Sequence, residues 1–146
     1  MRVYIKKLDD RAITPTRGSA CAAGYDLYAC IGEEGVRILP NKSVKIGTGF
    51  AIAPEEENVF FGVFARSGLA AKQSLRPANC VGVIDSDYRG EVSVVVHNDG
   101  TEPKVIHHGD RIGQLLLLPF IPMEFAETDM LQETERGTNG FGSTGV

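Results

Sequence analysis

The stretch VKIGTGFAI, residues 44–52, places an apolar or small side chain at every second position. A period of two is that of a β-strand, in which successive side chains point to opposite faces of the sheet. We therefore predict a strand here, with one face turned toward a core. That face carries Val44, Ile46, Thr48, Phe50 and Ile52.

Further strands are predicted on the carboxyl-terminal side of this stretch. VSVVVH (92–97) shows the same alternation. VFFGVF (59–64) and LLLLP (115–119) are short continuous apolar runs, which are typical of strands buried on both sides. Many short strands with frequent turns predict an all-β sandwich or barrel. The glycine- or proline-containing turns lie at 32–35, 40–42, 54–58, 98–103 and 108–110.

Helical signals are weak, and only residues 69–74 predict one or two helical turns. The length of 146 residues suits one domain and is too short for two. The last eleven residues, RGTNGFGSTGV, hold four glycines and little hydrophobic mass, which is the composition of a mobile tail. We predict a single domain, residues 1–146, with a β core at 1–135 and a mobile C-terminal arm at 136–146.

The charge balance argues against a nucleic-acid-binding protein. The chain has 15 basic and 19 acidic residues, a formal net charge of −4, and no cluster of Lys or Arg. A duplex-binding protein normally carries a basic face. A mildly acidic protein binds a small polyanion only through local donors or a metal ion.

Cysteine usage and the amino terminus predict a reducing compartment. Cys21, Cys30 and Cys80 form no CxxC pair and no zinc spacing. The first ten residues, MRVYIKKLDD, lack the apolar run of a signal peptide, and no stretch approaches the roughly 20 apolar residues of a membrane span. We expect no membrane partner, and a cytoplasmic location, or a nuclear one in a eukaryotic or viral source.

The tail RGTNGFGSTG, residues 136–145, holds groups that bind phosphate. Its glycines expose backbone N–H groups, and it adds the Arg136 guanidinium and several hydroxyls. It lacks the GxxxxGK[ST] order of a P-loop. A disordered terminus is the alternative interpretation, but an aromatic between glycines, Phe141, suits stacking on a nucleobase.

The segment GVIDSDYRG, residues 82–90, predicts a hairpin whose return strand is the following VSVVV. Asp85 lies between Ile84 and Ser86, within the apolar approach to the turn. Three roles are open for such a carboxylate: a general base, a metal ligand, or a turn residue that caps its own backbone.

Two further patterns place polar groups beside apolar strands. In ARSGLAAK, the Arg66 guanidinium, the Ser67 hydroxyl and the Gly68 N–H suit a phosphate at a strand end. The alternative is an ordinary helix start with Ser67 as its cap. AAGYDLYA and DRIGQLLLLP each set one polar residue, Asp26 or Gln114, in an apolar strand, where it needs a partner from the fold or from a ligand.

Taken in order, AGYDL, ARSGLA, NCVGVIDSDYRG, RIGQLLLLP and RGTNGFGSTG resemble the five motifs of the trimeric dUTPase family. Together they span residues 23–145. The resemblance implies a β jelly roll, a homotrimer with active sites shared among three subunits, and hydrolysis of dUTP to dUMP and pyrophosphate. Two positions depart from the family pattern, Asn139 in the tail and Gly113 in RIGQ, and neither matches a catalytic group.

The resemblance also implies roles for individual residues. Asp85 matches the base that activates the water attacking the α-phosphorus. Tyr88 would lie under the deoxyribose and exclude a 2′-hydroxyl. Asn79 and the backbone of the next segment would pair with the uracil edge and exclude a 5-methyl group. That segment comprises Val81, Gly82, Val83 and Ile84.

The phosphate-side roles follow from the same resemblance. Arg66, Ser67 and Gly68 would hold the triphosphate, and Gln114 would reach the phosphates or the nucleophilic water. Asp26 would contact waters on a Mg²⁺ ion held mainly by the triphosphate. The arm would close over the nucleotide with Phe141 stacked on uracil, using Arg136, Phe141, Gly142, Ser143 and Thr144.

Two other functions are weighed against this one. The dCTP deaminases resemble the chain around GVIDSDYRG, but the glutamate on their following strand falls here on Val95, which cannot carry a proton. They also lack the Phe-Gly-Ser-Thr-Gly tail. A non-catalytic trimeric binding or regulatory relative would have lost Asp85, Tyr88 or the tail, and all three are present.

Overall fold

The computed structural model describes residues 1–140, and β-strands dominate that part of the chain. Twelve strands and one short helix form within it. They are β1 Val3–Lys7, β2 Thr16–Arg17, β3 Tyr25–Tyr28, β4 Val36–Ile38, β5 Ser43–Gly47, β6 Phe50–Pro54, β7 Val59–Phe64, α1 Ser67–Gln73, β8 Leu75–Pro77, β9 Gly82–Asp85, β10 Ser93–Asn98, β11 Lys104–Ile106 and β12 Arg111–Pro119.

The strands form antiparallel sheets that enclose one core. The largest sheet has five strands in the order β2-β3-β12-β7-β9, and a second has three in the order β5-β10-β8. Two strand pairs, β1-β6 and β4-β11, complete the fold. The predicted all-β sandwich is confirmed. The core draws on most of the strands and includes Leu27, Ile38, Ile46, Phe50, Phe61, Val63, Leu75, Val94, Val96, Ile106 and Ile112.

The stretch 44–52 is two strands rather than one, so this prediction was wrong in part. Gly49 has a φ of +74° and breaks the chain between β5 and β6. A side chain there would also meet Cys30 and Ala12, so glycine is required twice over. Predicted inward residues are buried on both sides of the break, and Thr48 donates its hydroxyl to the Val92 carbonyl at 2.7 Å, but Ala51 between Phe50 and Ile52 is buried as well.

The predicted hairpin between 82–90 and its return strand was wrong in its pairing. β9 pairs with β7, whereas β10 pairs with β5 and β8 in the other main sheet. The buried face of β10, formed by Val94 and Val96, packs into the shared core from that second sheet. The loop between Asp85 and Ser93 therefore carries the chain from one sheet to the other, and a gap separates β9 from β10.

The apolar runs were predicted to be buried on both faces, and the structure covers only one face fully. Phe61 and Leu115 are buried in the core, but Phe60, Leu116 and Leu118 on the other face are only partly covered. β7 and β12 are paired along this whole length. The chain thus leaves a half-exposed apolar face on its main sheet.

The helix matches the predicted position, but its cap differs from the alternative considered for Ser67. α1 is Ser67–Gln73, its N-cap is Arg66, and no side chain caps it. The helix ends at Ser74, which adopts the left-handed conformation with a φ of 56°. Within residues 1–140, the model contains no helix with the length and apolar character that a membrane crossing requires.

After β12 the chain leaves the body of the sandwich. Residues 120–140 form no strand or helix and are exposed almost throughout. Three apolar side chains at alternate positions stand in solvent, namely Ile121 at 86%, Met123 at 76% and Phe125 at 88% exposure. Apolar side chains at every second position are typical of a β-strand, but this segment pairs with no other strand among the described residues.

Candidate active site

A cavity of about 660 Å³ lies where β3, β12 and β7 meet, and we call it the Arg66 cavity. Gln114 on β12 is in register with Asp26 on β3 and with Phe64 at the end of β7. The chain continues from β7 into the segment that begins α1, so its polar groups reach the same cavity. Its lining includes Gly24, Asp26, Phe64, Arg66, Ser67, Gly68, Cys80, Arg111 and Gln114.

One carboxylate in this cavity lies between two guanidinium groups. Asp26, with 15% of its side chain exposed, accepts a hydrogen bond from Arg66 Nε at 2.8 Å. It accepts a second from Arg111 Nη1 at 3.4 Å. Two cations against one anion leave a net positive charge and free N–H groups, which suit an anionic ligand.

The partly buried side chain of Gln114 has a hydrogen-bond partner within the protein. Its Nε2 donates to the Ala65 carbonyl at 2.8 Å. Its Oε1 lies against Gly24, where an added Cβ would come within 2.5 Å of that oxygen. The glycine in AAGYDLYA therefore makes room for the Gln114 amide, and the amide in turn fixes the strand end that leads to Arg66.

A second, smaller recess of about 250 Å³ opens between β9 and β10, and we call it the Asp85 groove. Asp85 is the last residue of β9 and is exposed. The turn that follows it is held by the Tyr88 N–H, which donates to the Asp85 carbonyl at 3.2 Å. The groove is lined by Lys45, Val83, Ile84, Asp85, Tyr88, Glu91, Ser93 and Val95.

Tyr88 is held in this groove through Glu91. The Tyr88 hydroxyl donates to the Glu91 carbonyl at 3.4 Å. The Glu91 carboxylate accepts a hydrogen bond from the Gly49 N–H at 2.8 Å. The break between β5 and β6 is thus tied to the groove, and the tyrosine ring is anchored at its free end.

The Asp85 groove and the Arg66 cavity are separate recesses with no lining residue in common. Asp85 is in register with Phe60 on β7, and Gln114 is in register with Phe64 on the same strand. Four residues of a strand span about 13 Å. The two recesses therefore lie at opposite ends of β7.

Comparison with known proteins bears on both recesses. A family model described as dUTPase matches residues 10–145. A deoxyuridine 5'-triphosphate nucleotidohydrolase of Desulfitobacterium hafniense is 51% identical over 143 residues, covering 98% of this chain and 93% of that protein. One from Coxiella burnetii is 40% identical over 145 residues, with coverages of 99% and 95%.

The solved structures agree. A variant of the Staphylococcus bacteriophage 80alpha dUTPase, solved with dUpNHpp, superposes with a TM-score of 0.85 at 25% identity, covering 99% of each chain. The chain belongs to the dUTPase family. Its jelly-roll sandwich is the fold of these structural neighbours, and it is a hydrolase of this family.

Within this dUTPase-family chain, the residues expected to act together fall into four groups, two of which line the recesses. Asp26, Arg66, Ser67, Gly68 and Gln114 share the Arg66 cavity. The Asp85 groove is lined by Val83, Ile84, Asp85 and Tyr88.

Asn79, Val81 and Gly82 lie at the other end of β9, outside the lining of the groove. Gly82 is in register with Val63, and a Cβ added to it would come within 3.4 Å of Asn79 Nδ2.

The C-terminal arm is only partly described. Arg136 is exposed, and its Nε donates to the Asn139 carbonyl at 3.0 Å, so it contacts neither recess in this chain. Four residues expected to close over the nucleotide lie outside the described residues. They are Phe141, Gly142, Ser143 and Thr144.

Sequence reasoning missed several lining residues. Arg111 is three positions before Gln114, and on a regular strand the two would face opposite sides. The register between β12 and β3 shifts between Arg111 and Gly113, and this bulge turns Arg111 toward Asp26. Lys45 and Ser93 were missed because they lie on strands predicted from apolar alternation alone, and Glu91 was missed because it lies just before the second of these strands.

Proposed function

We propose that the chain hydrolyses dUTP to dUMP and pyrophosphate. The family match and the names of the relatives support this function, as does the dUpNHpp in the phage enzyme. The observation that carries it is the chemical contrast between the two recesses. One is a cationic cavity suited to phosphates, and the other is a groove with apolar walls whose carboxylates outnumber its one cation.

Charge assigns the two ends of the nucleotide to the two recesses. The Asp85 groove holds two carboxylates, Asp85 and Glu91, against one cation, Lys45. A triphosphate is repelled there and attracted to the Arg66 cavity. The uncharged base and deoxyribose fit the groove, where Val83, Ile84 and Tyr88 offer apolar surface. Asp85 then lies where the two ends of the substrate join, beside the α-phosphorus.

The proposed chemistry is an in-line displacement. Asp85 accepts a proton from a water molecule while the water oxygen bonds to the α-phosphorus. The bond from that phosphorus to the bridging oxygen breaks, and pyrophosphate leaves with the electron pair. Arg66, Ser67 and Gly68 hold the phosphates in line, and Gln114 orients the phosphates or the water.

Sugar selection uses the Asp85 groove, and base selection adds the segment at the start of β9, which lies outside the lining of that groove. Tyr88 lies under the deoxyribose, and its hydroxyl is held by the Glu91 carbonyl, so a 2′-hydroxyl has no room beside the ring. Asn79 and the backbone of 81–84 pair with the uracil edge. A wrong base leaves those groups unpaired, which is how a polar pocket rejects a competitor.

The residues present fit a Mg²⁺ ion that travels with the triphosphate. Within residues 1–140 no group of three or more His, Cys, Asp or Glu side chains could hold a metal ion by itself. Magnesium commonly takes substrate phosphates as ligands and keeps several waters. Asp26 would contact those waters, and the ion would neutralise the triphosphate for a chain of net charge −4.

We further propose a homotrimer with shared sites. In one chain Asp85 and Gln114 are held at opposite ends of β7. A single copy therefore keeps its general base, Asp85, away from its own Arg66 cavity. The half-exposed face of β7 and β12 and the bare segment at 121–125 need apolar cover, which a second copy supplies. The core, residues 1–135, then carries the recesses, and the arm, residues 136–146, closes a neighbour's site.

The competing functions have less support. A deaminase would need a proton carrier on β10, where Val95 lines the groove with 40% exposure and offers no such group. A regulatory relative without catalysis would not need the exposed carboxylate of Asp85 in the groove.

The test is to incubate the protein with Mg²⁺ and each of dUTP, dCTP, dTTP and UTP, and to measure pyrophosphate and ammonia. We expect pyrophosphate from dUTP, at a kcat/KM far above that of the other three. Comparable turnover of dTTP or UTP would contradict the assigned selectivity. Ammonia from dCTP would point instead to the deaminase.

A further inference from the structure

Asp85 lies where β9 ends and its sheet pairing stops. It is the last residue of that strand, its register partner is Phe60 on β7, and β9 is the edge strand of its sheet. Its side chain is exposed. A general base must be held within hydrogen-bond reach of the proton it takes. The position of this carboxylate therefore depends on how the turn after β9 is fixed.

Three hydrogen bonds of this turn stay within it. The Tyr88 N–H donates to the Asp85 carbonyl at 3.2 Å. The Arg89 guanidinium donates to the Ser86 carbonyl at 2.7 Å and to the Tyr88 carbonyl at 3.0 Å. These bonds give the turn its shape, but they do not attach it to another part of the chain.

The Ser86 side chain supplies such an attachment. Its hydroxyl donates to the Glu57 carbonyl, in the turn between β6 and β7, at 3.0 Å. Ser86 is partly buried, whereas Asp85 and residues 87–89 are exposed. Successive side chains of an extended chain point to opposite sides, and Asp85 lines the groove whereas Ser86 does not. The bond that holds the serine on one side thus directs the carboxylate into the groove on the other.

The acceptor of this hydrogen bond is itself fixed. The Glu55 N–H donates to the Arg2 carbonyl at 3.1 Å, and the Phe120 N–H donates to the Asn58 carbonyl at 3.2 Å. The turn between β6 and β7 is therefore held on both sides of Glu57, by segments next to β1 and β12. Its carbonyl gives the serine hydroxyl a fixed point on the body of the sandwich.

We propose that Ser86 is a positioning residue for the hydrolysis, whose hydrogen bond to the Glu57 carbonyl holds the Asp85 carboxylate against its water. This inference rests on the proposed function, because it requires Asp85 to be the general base. Ser86 acts through the backbone of the turn and not by contact with the nucleotide. Its loss should therefore slow the chemical step more than it weakens nucleotide binding.

The experiment compares Ser86→Ala, which removes the hydroxyl, with Ser86→Thr, which keeps it. Ser43→Ala is the matched control, because the Ser43 hydroxyl bonds His97 Nδ1 at 2.8 Å and lines neither recess. For each protein we would measure kcat and KM for dUTP, the dissociation constant of dUMP and the thermal midpoint.

We expect Ser86→Ala to lower kcat by about 10-fold, with KM and dUMP binding within about 2-fold of the wild type. Ser86→Thr should keep most of the wild-type kcat, and Ser43→Ala should leave kcat unchanged. The thermal midpoints of the two alanine variants should be similar, because each loses one hydroxyl hydrogen bond.

A double-mutant cycle with Asp85→Asn separates positioning from a structural role. In the Asp85→Asn background no proton acceptor remains to be positioned. Adding Ser86→Ala there should change the residual kcat by less than about 2-fold. A structural role would lower kcat by the same factor in both backgrounds.

Three results would overturn the assignment. They are a kcat of Ser86→Ala within about 2-fold of the wild type, a Ser86→Thr enzyme no more active than Ser86→Ala, and equal losses in the two backgrounds of the cycle. Failure of the proposed function has a different signature. In that case the wild-type protein would release no pyrophosphate from dUTP, or Asp85→Asn alone would keep the wild-type kcat.

Discussion

The Arg66 cavity and the Asp85 groove lie on the same five-stranded sheet, yet they are built in different ways. The Arg66 cavity lies over central strands, where β12 is paired on both sides and Asp26 is fixed between two guanidinium groups. The Asp85 groove lies at the sheet edge, where β9 has one neighbour and Asp85 is exposed. The cavity is a cationic recess, and the groove is a strand gap with a carboxylate.

Under the proposed function, this difference makes the two recesses complementary halves of a nucleotide site. In this proposal neither half acts alone. Phosphate binding without the general base leaves the water unactivated, and the general base without phosphate binding has no substrate held in line. The two halves are rigidly separated by the pairing along β7. The proposed homotrimer would bring them together by pairing the cavity of one copy with the groove of another.

The largest effect is expected at the carboxylate of the groove. Asp85→Asn keeps the size of the side chain but removes the proton acceptor, so kcat should fall by about 10²–10⁴-fold while nucleotide binding is kept. Steady-state assays of pyrophosphate release, with dUMP binding by calorimetry, measure the two quantities. Asp87→Asn, which changes another exposed aspartate of the same turn, is the control. If the Asp85→Asn enzyme kept nearly wild-type turnover, Asp85 would not be the general base.

The next effect tests whether the halves of one site come from different chains. Arg66→Ala removes one of the two cavity cations, the one closer to Asp26, and should itself be nearly inactive. Co-refolding it in equal amounts with Asp85→Asn gives mixed rings in about three-quarters of cyclic trimers, each with one site that combines an intact Arg66 and an intact Asp85. About one-quarter of all sites should then work.

The measurement is dUTPase activity after co-refolding, compared with simple mixing of pre-formed trimers. Mass measurement first establishes that mixed trimers form. If they form and activity stays at the level of the separate variants, both halves of a site belong to one chain and the shared site is refuted.

The sequence predicted the cavity better than the groove, and the reason is local. Asp26 and Gln114 stand out as lone polar residues in apolar strands, so their pairing across β3 and β12 could be anticipated as a need for partners. The gap between β9 and β10 could not, because an apolar alternation followed by a turn predicts a hairpin. Which sheet a strand joins depends on the packing of Val94 and Val96 into the distant core.

The same limit applies to the two residues that irregular backbone brings into place. A bulge in β12 turns Arg111 toward Asp26. The residue types in DRIGQ do not predict this bulge. Gly49 lies between two strands, within a stretch whose sequence alternates without interruption. Periodicity reports which face a residue takes, whereas pairing partners are decided by contacts far along the chain.

A smaller effect is expected from alanine substitution of two glycines, one beside the Arg66 cavity and one beside the Asp85 groove. A Cβ at Gly24 would meet Gln114 Oε1 in the cavity, and a Cβ at Gly90 would meet the Tyr88 hydroxyl in the groove. Gly24→Ala should lower kcat/KM for dUTP by about 10-fold, because the displaced amide no longer holds the Ala65 carbonyl. Gly90→Ala should mainly narrow the preference for dUTP over UTP, because it displaces the ring that excludes the 2′-hydroxyl.

The assay is kcat/KM for both nucleotides, with Gly32→Ala as the control, since a Cβ there would meet nothing within 4 Å. Should Gly90→Ala leave the dUTP to UTP ratio unchanged, Tyr88 does not select the sugar. Equal effects of both alanine variants on that ratio would mean that the two recesses do not divide the work as proposed.

The smallest effect lies outside both recesses and tests that the division is local. Asp9 forms an exposed ion pair with Arg11, whose Nη2 lies 2.7 Å from its carboxylate, and hydrogen bonds from Arg11 lower the pKa of Asp9 from 3.8 to about 2. A carboxylate with a lowered pKa in the folded state stabilises the protein above pH 3.8, and this stabilisation is lost as the pH falls through about 2. Asp9→Asn should therefore lower the thermal midpoint slightly at pH 7 and converge on the wild type at low pH. Because the pair is exposed, the difference should be small and should shrink in high salt. Neither kcat nor KM for dUTP should change, since Asp9 lines neither recess. A difference in thermal midpoint that persists unchanged to pH 2 would show that the Asp9 carboxylate does not stabilise the fold through its charge.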